Sequence, residues 1–310
     1  MGEAPTDVVH AAGAPRVAKH SAGAPTLVSI AGDVALTDID SAQAAHAALP
    51  AGAGRLGELA EWLSGTQGGW PPTAPVRPRL VCPSPGTAAA VAVAESLDVG
   101  VDHLEITLTA DAFRTGVAAA DALADAGTNL VILADGESSA AAAVLVAVVT
   151  DAEPVALLPR GADALDTDWW ITRAAQLRDG RRRAVSRRDD PDDLLDALGN
   201  PALATTCGFL IRAVARRTAV VLDGTTAVAA AALCLRARER AGRWWRIADT
   251  STDPVHRRAV EYLDQRPLLD LDVRHGEGLA GLLTIGLLRA AGQFGQLAGA
   301  DEPGSETPRD

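Results

Sequence analysis

The side chains with the clearest chemical potential lie in short stretches that either end an apolar run or precede a helix. Gly276-Glu277-Gly278 places one carboxylate between two glycines, just ahead of an apolar stretch that starts at Leu279. Glycines let the backbone approach a flat ring closely, and a carboxylate held there can act as a base. A carboxylate in that place also complements a helix N-terminus, so the pattern alone leaves both roles open. Ala134-Asp135-Gly136-Glu137-Ser138-Ser139 leaves an apolar run and enters a helix. Such a turn can offer N–H groups and hydroxyls to an anion, or it can be an ordinary turn with serine caps. Arg160-Gly161 and, further on, Arg173 supply guanidinium groups that can hold a phosphate bidentately, while Asp163 would repel one. Asp223, before Gly224, ends another apolar run; ligand groups gather at such places, yet Asp-Gly is also a common turn.

The elements that must position these residues alternate along the chain. Apolar or β-branched runs predict strands at 76–82, 103–108, 129–133, 154–158, 219–222 and 245–248. Helical spacing predicts helices at 40–48, 54–63, 87–97, 110–126, 138–149, 169–177, 190–198, 205–216, 226–238, 256–263 and 279–297, with Asp40-Ser41 and Thr87 as caps and Pro191 opening its helix. The fold expected is α/β: a mostly parallel, doubly wound, Rossmann-like sheet with helices on both faces. In such a sheet ligands bind beyond the carboxyl ends of the strands, which points to the loops after Leu133, Leu158, Leu222 and Ala248. Residues 1–26, rich in Ala, Gly and Pro, read as a flexible arm, 27–298 as one domain, and 299–310 as a polar tail. Within the domain, helices from 40–65 and 279–297 are expected to form a small helical subdomain.

Composition narrows the partners. A net charge of −12 argues against nucleic acid and anionic membrane surfaces. The apolar run 140–149 is too short to span a bilayer. Cys82, Cys207 and Cys234 are scattered and read as buried free thiols in a reducing cytoplasm. The histidines form no metal-binding pair, so no zinc site is expected. Trp169-Trp170 and Trp244-Trp245 read as core, and the arginines of 181–188 as a solvated loop neutralised by Asp189, Asp190, Asp192 and Asp193.

The last third carries a family resemblance. Leu269-Asp270-Leu271-Asp272-Val273-Arg274-His275-Gly276-Glu277-Gly278 is similar to the LDLxxRLGEGTGA ending of the nicotinate-nucleotide–dimethylbenzimidazole phosphoribosyltransferases. Val221-Leu222-Asp223-Gly224 resembles their LLDG turn, Ser251-Thr252-Asp253-Pro254-Val255-His256 their SxEPGH segment, and Gly54-Arg55-Leu56 with Leu59-Ala60-Glu61-Trp62-Leu63 their GRLEELAxWL helix. The resemblance implies a glycosyltransferase of the pentosyl type. It would move ribose phosphate from nicotinate mononucleotide to 5,6-dimethylbenzimidazole or a related azole, giving alpha-ribazole phosphate and nicotinate for the lower ligand of cobalamin. It further implies a homodimer without a cofactor. It makes Glu277 the base that deprotonates the azole, flanked by Gly276 and Gly278. It puts Asp135 near the ribose and Ser138, Ser139, Arg160, Gly161 and Arg173 around the phosphate, with Gly199 and Asp223 as further binding positions.

The chain departs from the family pattern in several places. The G[ED]MGIGNTT loop is shortened to Asp135–Ser139 with one glycine, the GxGTG-like loop keeps only Gly161, and GG[FA][ED] reads Gly199-Asn200-Pro201-Ala202 without its carboxylate. The AGDHGV segment and the stretch lining the benzimidazole pocket are replaced by Cys82–Ala88 and a short connection. These departures raise two alternatives: a catalytically impaired paralogue that binds a small molecule or a partner subunit, and a transferase with a changed acceptor.

Overall fold

The computed structural model describes residues 24–73, 77–82, 88–105, 111–134, 139–160, 166–273 and 278–300. In chain order the elements are α1 (Leu27–Asp33), α2 (Ile39–Ala48), α3 (Gly54–Gln67), β1 (Pro78–Cys82), α4 (Ala88–Ser96), β2 (Gly100–His103), α5 (Ala112–Asp125), β3 (Leu130–Ala134), α6 (Ala140–Val149), α7 (Thr167–Ala184), α8 (Pro191–Leu198), α9 (Pro201–Ala215), β4 (Ala219–Asp223), α10 (Thr225–Ala237), β5 (Trp245–Ile247), α11 (Pro254–Leu263) and α12 (Leu279–Ala300).

The strands form one sheet in the order β2-β1-β3-β4-β5, and every neighbouring pair is parallel. Leu80 lies beside Ile132, and Ile132 beside Val221. Because side chains alternate across a strand, Val81, Val131, Leu133, Val220 and Leu222 enter one core with α1, α5, α6, α9, α10 and α11. Leu80, Cys82, Leu130, Ile132, Ala134 and Val221 enter the other, under α3, α4 and α12. Each fully buried aliphatic side chain contributes roughly 1.5–3 kcal/mol, so both layers hold the sheet. The expected α/β class with helices on both faces is what the chain adopts. The three cysteines are buried free thiols, as anticipated.

Helices α5 and α9 touch backbone to backbone. A Cβ on Gly116 would lie 2.0 Å from the Thr205 carbonyl oxygen, and one on Gly208 would lie 2.1 Å from that of Phe113. Helix α6 is buried from Ala142 to Val149, which explains its uniformly apolar sequence. No helix among the described residues is long and apolar enough to cross a membrane.

Several expected elements are corrected. Strand β2 covers Gly100–His103 rather than beginning at 103, and its partner β1 ends at Cys82, whose carbonyl takes the Leu104 N–H in the last rung; positions 106–108 of the expected strand lie outside the described residues. Residues 154–158 are not a strand: Pro154–Leu157 form a 3-10 turn, opened by a proline that has no N–H for a ladder. Helix α1 is not among the expected helices; Thr26 and Ser29 cap it reciprocally, and Asp192 accepts the N–H of Leu27 at 2.7 Å. The cap of α2 is Asp38 rather than Asp40-Ser41. Helix α7 runs to Ala184, so Arg181, Arg182 and Arg183 lie on its last turn beside the negative helix end rather than in a loop. Asp190 and Asp192 cap helices instead of neutralising that run. Trp244 and Trp245 are core, but Trp169 is 48% exposed. The Thr87 cap lies outside the described residues.

Candidate functional site

The carboxyl ends of β1, β3, β4 and β5 form one pole of the sheet, and the N-terminus of α12 is seated on it. Gly278 has φ +93, and a Cβ there would lie 2.2 Å from Leu80 Cδ1 and 3.3 Å from the Ala134 Cβ. Only glycine fits that conformation and that approach. Gly281 lies on Ile132 in the same way, its Cβ position 2.3 Å from Cγ2. Asp223, the last residue of β4, accepts the Gly281 N–H at 2.7 Å through Oδ2 and thus caps α12 from a separate element. Burial, first of all, pushes the Asp223 carboxyl up to about 6 from its usual 3.8; the nearby Asp249 charge adds to this, and the Gly281 and Ala280 N–H groups oppose it. Asp223 is 6% exposed and already engaged, so its place at the site is that of an anchor beneath the loop.

The raised Asp223 value has a measurable consequence. The folded chain keeps a proton that the unfolded chain loses, so stability from this group is full below the unfolded value and is lost as pH rises through about 6. Relative to Asp223→Asn, the wild type is expected to lose ~2 kcal/mol of unfolding free energy between about pH 4.5 and 7.5. Denaturant unfolding of both proteins across that range checks this; a pH-independent difference contradicts it.

Beyond β5, the segment 268–273 runs along the sheet edge. The Leu268 N–H donates to the Ile247 carbonyl and the Leu269 N–H to that of Ala248, each at 2.8 Å. Asp249, 5% exposed, gathers the segment: Oδ1 accepts the N–H of Thr250 at 2.9 Å and of Leu271 at 2.8 Å, and Oδ2 accepts that of Val273 at 2.9 Å. Thr250 Oγ1 donates to Asp270 at 2.7 Å, and the Thr252 N–H to Asp272 at 3.0 Å. His256 on α11 is buried against the Asp249 carbonyl at 3.2 Å, and burial is the main cause that holds it below its usual range.

The neighbouring helix starts complete the pole. Ser139 Oγ caps α6 by accepting the Ala142 N–H at 3.0 Å. Arg173 on α7 donates to the Ser139 carbonyl at 3.0 Å, and burial outweighs the Asp253 charge in lowering its guanidinium below the usual value. Asp253 caps α11 and accepts from Thr225 Oγ1 at 2.8 Å. Exposed Arg160 lies past the 3-10 turn and, with Thr252, Pro254 and Arg257, lines a cleft of about 380 Å³. A larger cavity of about 600 Å³ lies at the opposite pole, where Asn129, Arg217 and Trp244 precede β3, β4 and β5.

Of the residues singled out in the sequence, Ser139, Arg160, Arg173, Asp223 and Gly278 are thus placed at the carboxyl ends or the adjoining helix starts. Gly199 is the left-handed C-cap of α8, with φ 57, and Asn200 caps α9 directly after it. Asp135, Ser138, Gly161, Gly276 and Glu277 lie outside the described residues. Asp249 and Arg257 escaped the sequence reading. Asp249 stands alone after a short strand, and two of its partners are backbone N–H groups more than twenty residues on, which no motif reveals.

A family model for phosphoribosyltransferase matches residues 102–300. The nicotinate-nucleotide–dimethylbenzimidazole phosphoribosyltransferase of Streptomyces coelicolor is 31% identical over 303 residues, covering 78% of this chain and 85% of that protein. Those of Streptomyces avermitilis and Mycobacterium tuberculosis are each 39% identical over 192 residues, covering 61% of this chain. There the chain spans about half of the relative, 51% and 53% respectively. The crystal structure of the protein with that name from Thermus thermophilus superposes with a TM-score of 0.71 at 22% identity, covering 84% of this chain and 96% of that one, a likeness of fold. The chain belongs to the nicotinate-nucleotide–dimethylbenzimidazole phosphoribosyltransferase family.

Proposed function

We propose that this chain transfers the phosphoribosyl group of nicotinate mononucleotide to a ring nitrogen of 5,6-dimethylbenzimidazole or a related azole, in the synthesis of the cobalamin lower ligand. The observation that carries the reading is the seat of Gly278 on β1 and β3, together with an arginine-lined cleft among the residues that follow the 3-10 turn and β5, in a member of this family. The azole nitrogen that holds the lone pair attacks C1′ of the ribose as the N–H proton on the other ring nitrogen passes to Glu277. The bond from C1′ to the pyridinium nitrogen breaks, its electron pair stays on that nitrogen, and nicotinate leaves with inversion at C1′. Asp135 faces the positive charge that develops on the ribose. Arg160 and Arg257 hold the 5′-phosphate. Arg173 and Ser139 shape the start of α6, whose N–H groups favour an anion.

The test is product formation. Purified protein with nicotinate mononucleotide and dimethylbenzimidazole is expected to yield alpha-ribazole phosphate. Arg160→Gln combined with Arg257→Gln is expected to raise KM for the mononucleotide roughly 10- to 100-fold, with a smaller change in kcat, because charge-assisted bonds to a phosphate contribute ~1.5–3 kcal/mol. Failure to form product from any azole, together with failure to bind the mononucleotide, contradicts the reading.

The assembly belongs to the same proposal. Leu283, Leu287 and Leu297 share the outer face of α12 and are 43%, 36% and 69% exposed, which supports a homodimer through this helix; a monomer in sedimentation at micromolar concentration contradicts it. The three buried free thiols support a cytoplasmic enzyme, and the net charge of −12 supports one that does not bind nucleic acid. The domain reading is one unit over 27–298, with α2, α3 and α12 as its helical lobe; α3 packs against both of the others.

A further inference from the structure

Asp249 takes no part in the proposed reaction, yet it is a buried carboxylate with both oxygens committed to backbone. Burying a carboxylate costs several kcal/mol unless strong donors compensate, and three charge-assisted N–H bonds do so here. Two of them come from Leu271 and Val273, the residues that lead into positions 274–277. On the far side of those positions, Gly278 is seated on Leu80, and the adjoining turn of α12 is capped by Asp223. The two carboxylates stand at the tips of neighbouring strands, β4 and β5, each holding one end of the same short stretch.

We infer that Asp249 is a positioning residue: by fixing Leu271 and Val273 it sets the upstream end of the stretch that carries Glu277. The inference rests on the proposed role of Glu277 and goes beyond it, since the resemblance assigned nothing to Asp249. Chain geometry gives the reason. A residue adds at most about 3.6 Å of reach, so four residues between two fixed points sample few paths. Freeing one end multiplies those paths, and ordering the stretch again for each turnover costs entropy. The carboxylate is specifically required. An amide at this position has one acceptor oxygen, so when it serves Leu271 and Thr250 its NH2 confronts the Val273 N–H, donor against donor.

The test compares Asp249→Asn with the wild type in two ways. The first is steady-state kinetics: kcat is expected to fall roughly 10- to 100-fold while KM for nicotinate mononucleotide stays within about threefold, since the phosphate cleft is intact. The second needs no turnover. Limited tryptic digestion of the substrate-free protein, read by mass spectrometry, is expected to show faster cleavage after Arg274 in the variant, with other arginine sites unchanged. If Asp249→Asn does not fold, Asp272→Ala, which releases the same segment from the half-buried side chain that takes the Thr252 N–H, is measured in its place. Wild-type kcat with unchanged cleavage after Arg274 overturns the inference. A wild type that forms no product refutes the proposed reaction instead, and the cleavage comparison then decides the positioning claim alone.

Discussion

Glu277→Gln is expected to lower kcat for alpha-ribazole phosphate formation by roughly two to four orders of magnitude, the usual contribution of a general base. When the lone-pair nitrogen of the azole bonds to C1′, the ring becomes cationic unless its other nitrogen loses its N–H proton, so a group must accept that proton as the bond forms. Gln preserves the size of the side chain and its ability to hydrogen-bond, but it cannot accept a proton at neutral pH. KM for nicotinate mononucleotide is expected to change by less than about threefold, because the arginines of the cleft carry the phosphate. A kcat within about tenfold of the wild type would return the helix-dipole role of this carboxylate to first place.

The second large effect is structural. Gly278→Ala is expected to destabilise the chain by ~2–4 kcal/mol, lowering Tm by roughly 3–6 °C. Part of the cost is conformational: a φ of +93 lies where a Cβ is strained, which costs about 1–2 kcal/mol. The rest is steric. The new methyl lies 2.2 Å from Leu80 Cδ1, and Leu80 is fully buried between β2 and β3 neighbours with no free space to turn into. The start of α12 must therefore lift from the sheet, carrying residue 277 with it, so kcat is expected to fall well below the melting transition too. An unchanged Tm and unchanged kcat would show that the seat of α12 does not set the site.

Much of the sheet was legible because β3 and β4 are apolar runs buried on both faces, as central parallel strands need to be, and β1 is close to one. The edge was harder. Strand β2 alternates between partly buried and exposed positions, and its limits are set by where β1 stops, information held in another part of the chain. Residues 154–158 looked like a strand because Val, Ala and Leu say nothing of hydrogen bonding, whereas the proline that opens them does. The site was legible to a different depth. Asp223 and Gly278 stood out as residue types at strand and helix ends, but their tasks, capping α12 and admitting Leu80, depend on contacts 58 residues apart and on a close approach across the sheet. Asp249 left no local signal, because a lone aspartate after a strand is common and its meaning lies in N–H groups 22 and 24 residues ahead.

The proposed chemistry gathers at the carboxyl ends of the strands, while the larger cavity among the described residues lies at the amino ends. A crystal structure of the protein with nicotinate mononucleotide separates the two poles. The 5′-phosphate is expected within hydrogen-bond distance of Arg160 and Arg257, with the Glu277 carboxylate facing C1′ across a space wide enough for a flat heterocycle. Mononucleotide bound instead beside Asn129 and Arg217, or a Glu277 side chain turned to bulk water, would contradict it.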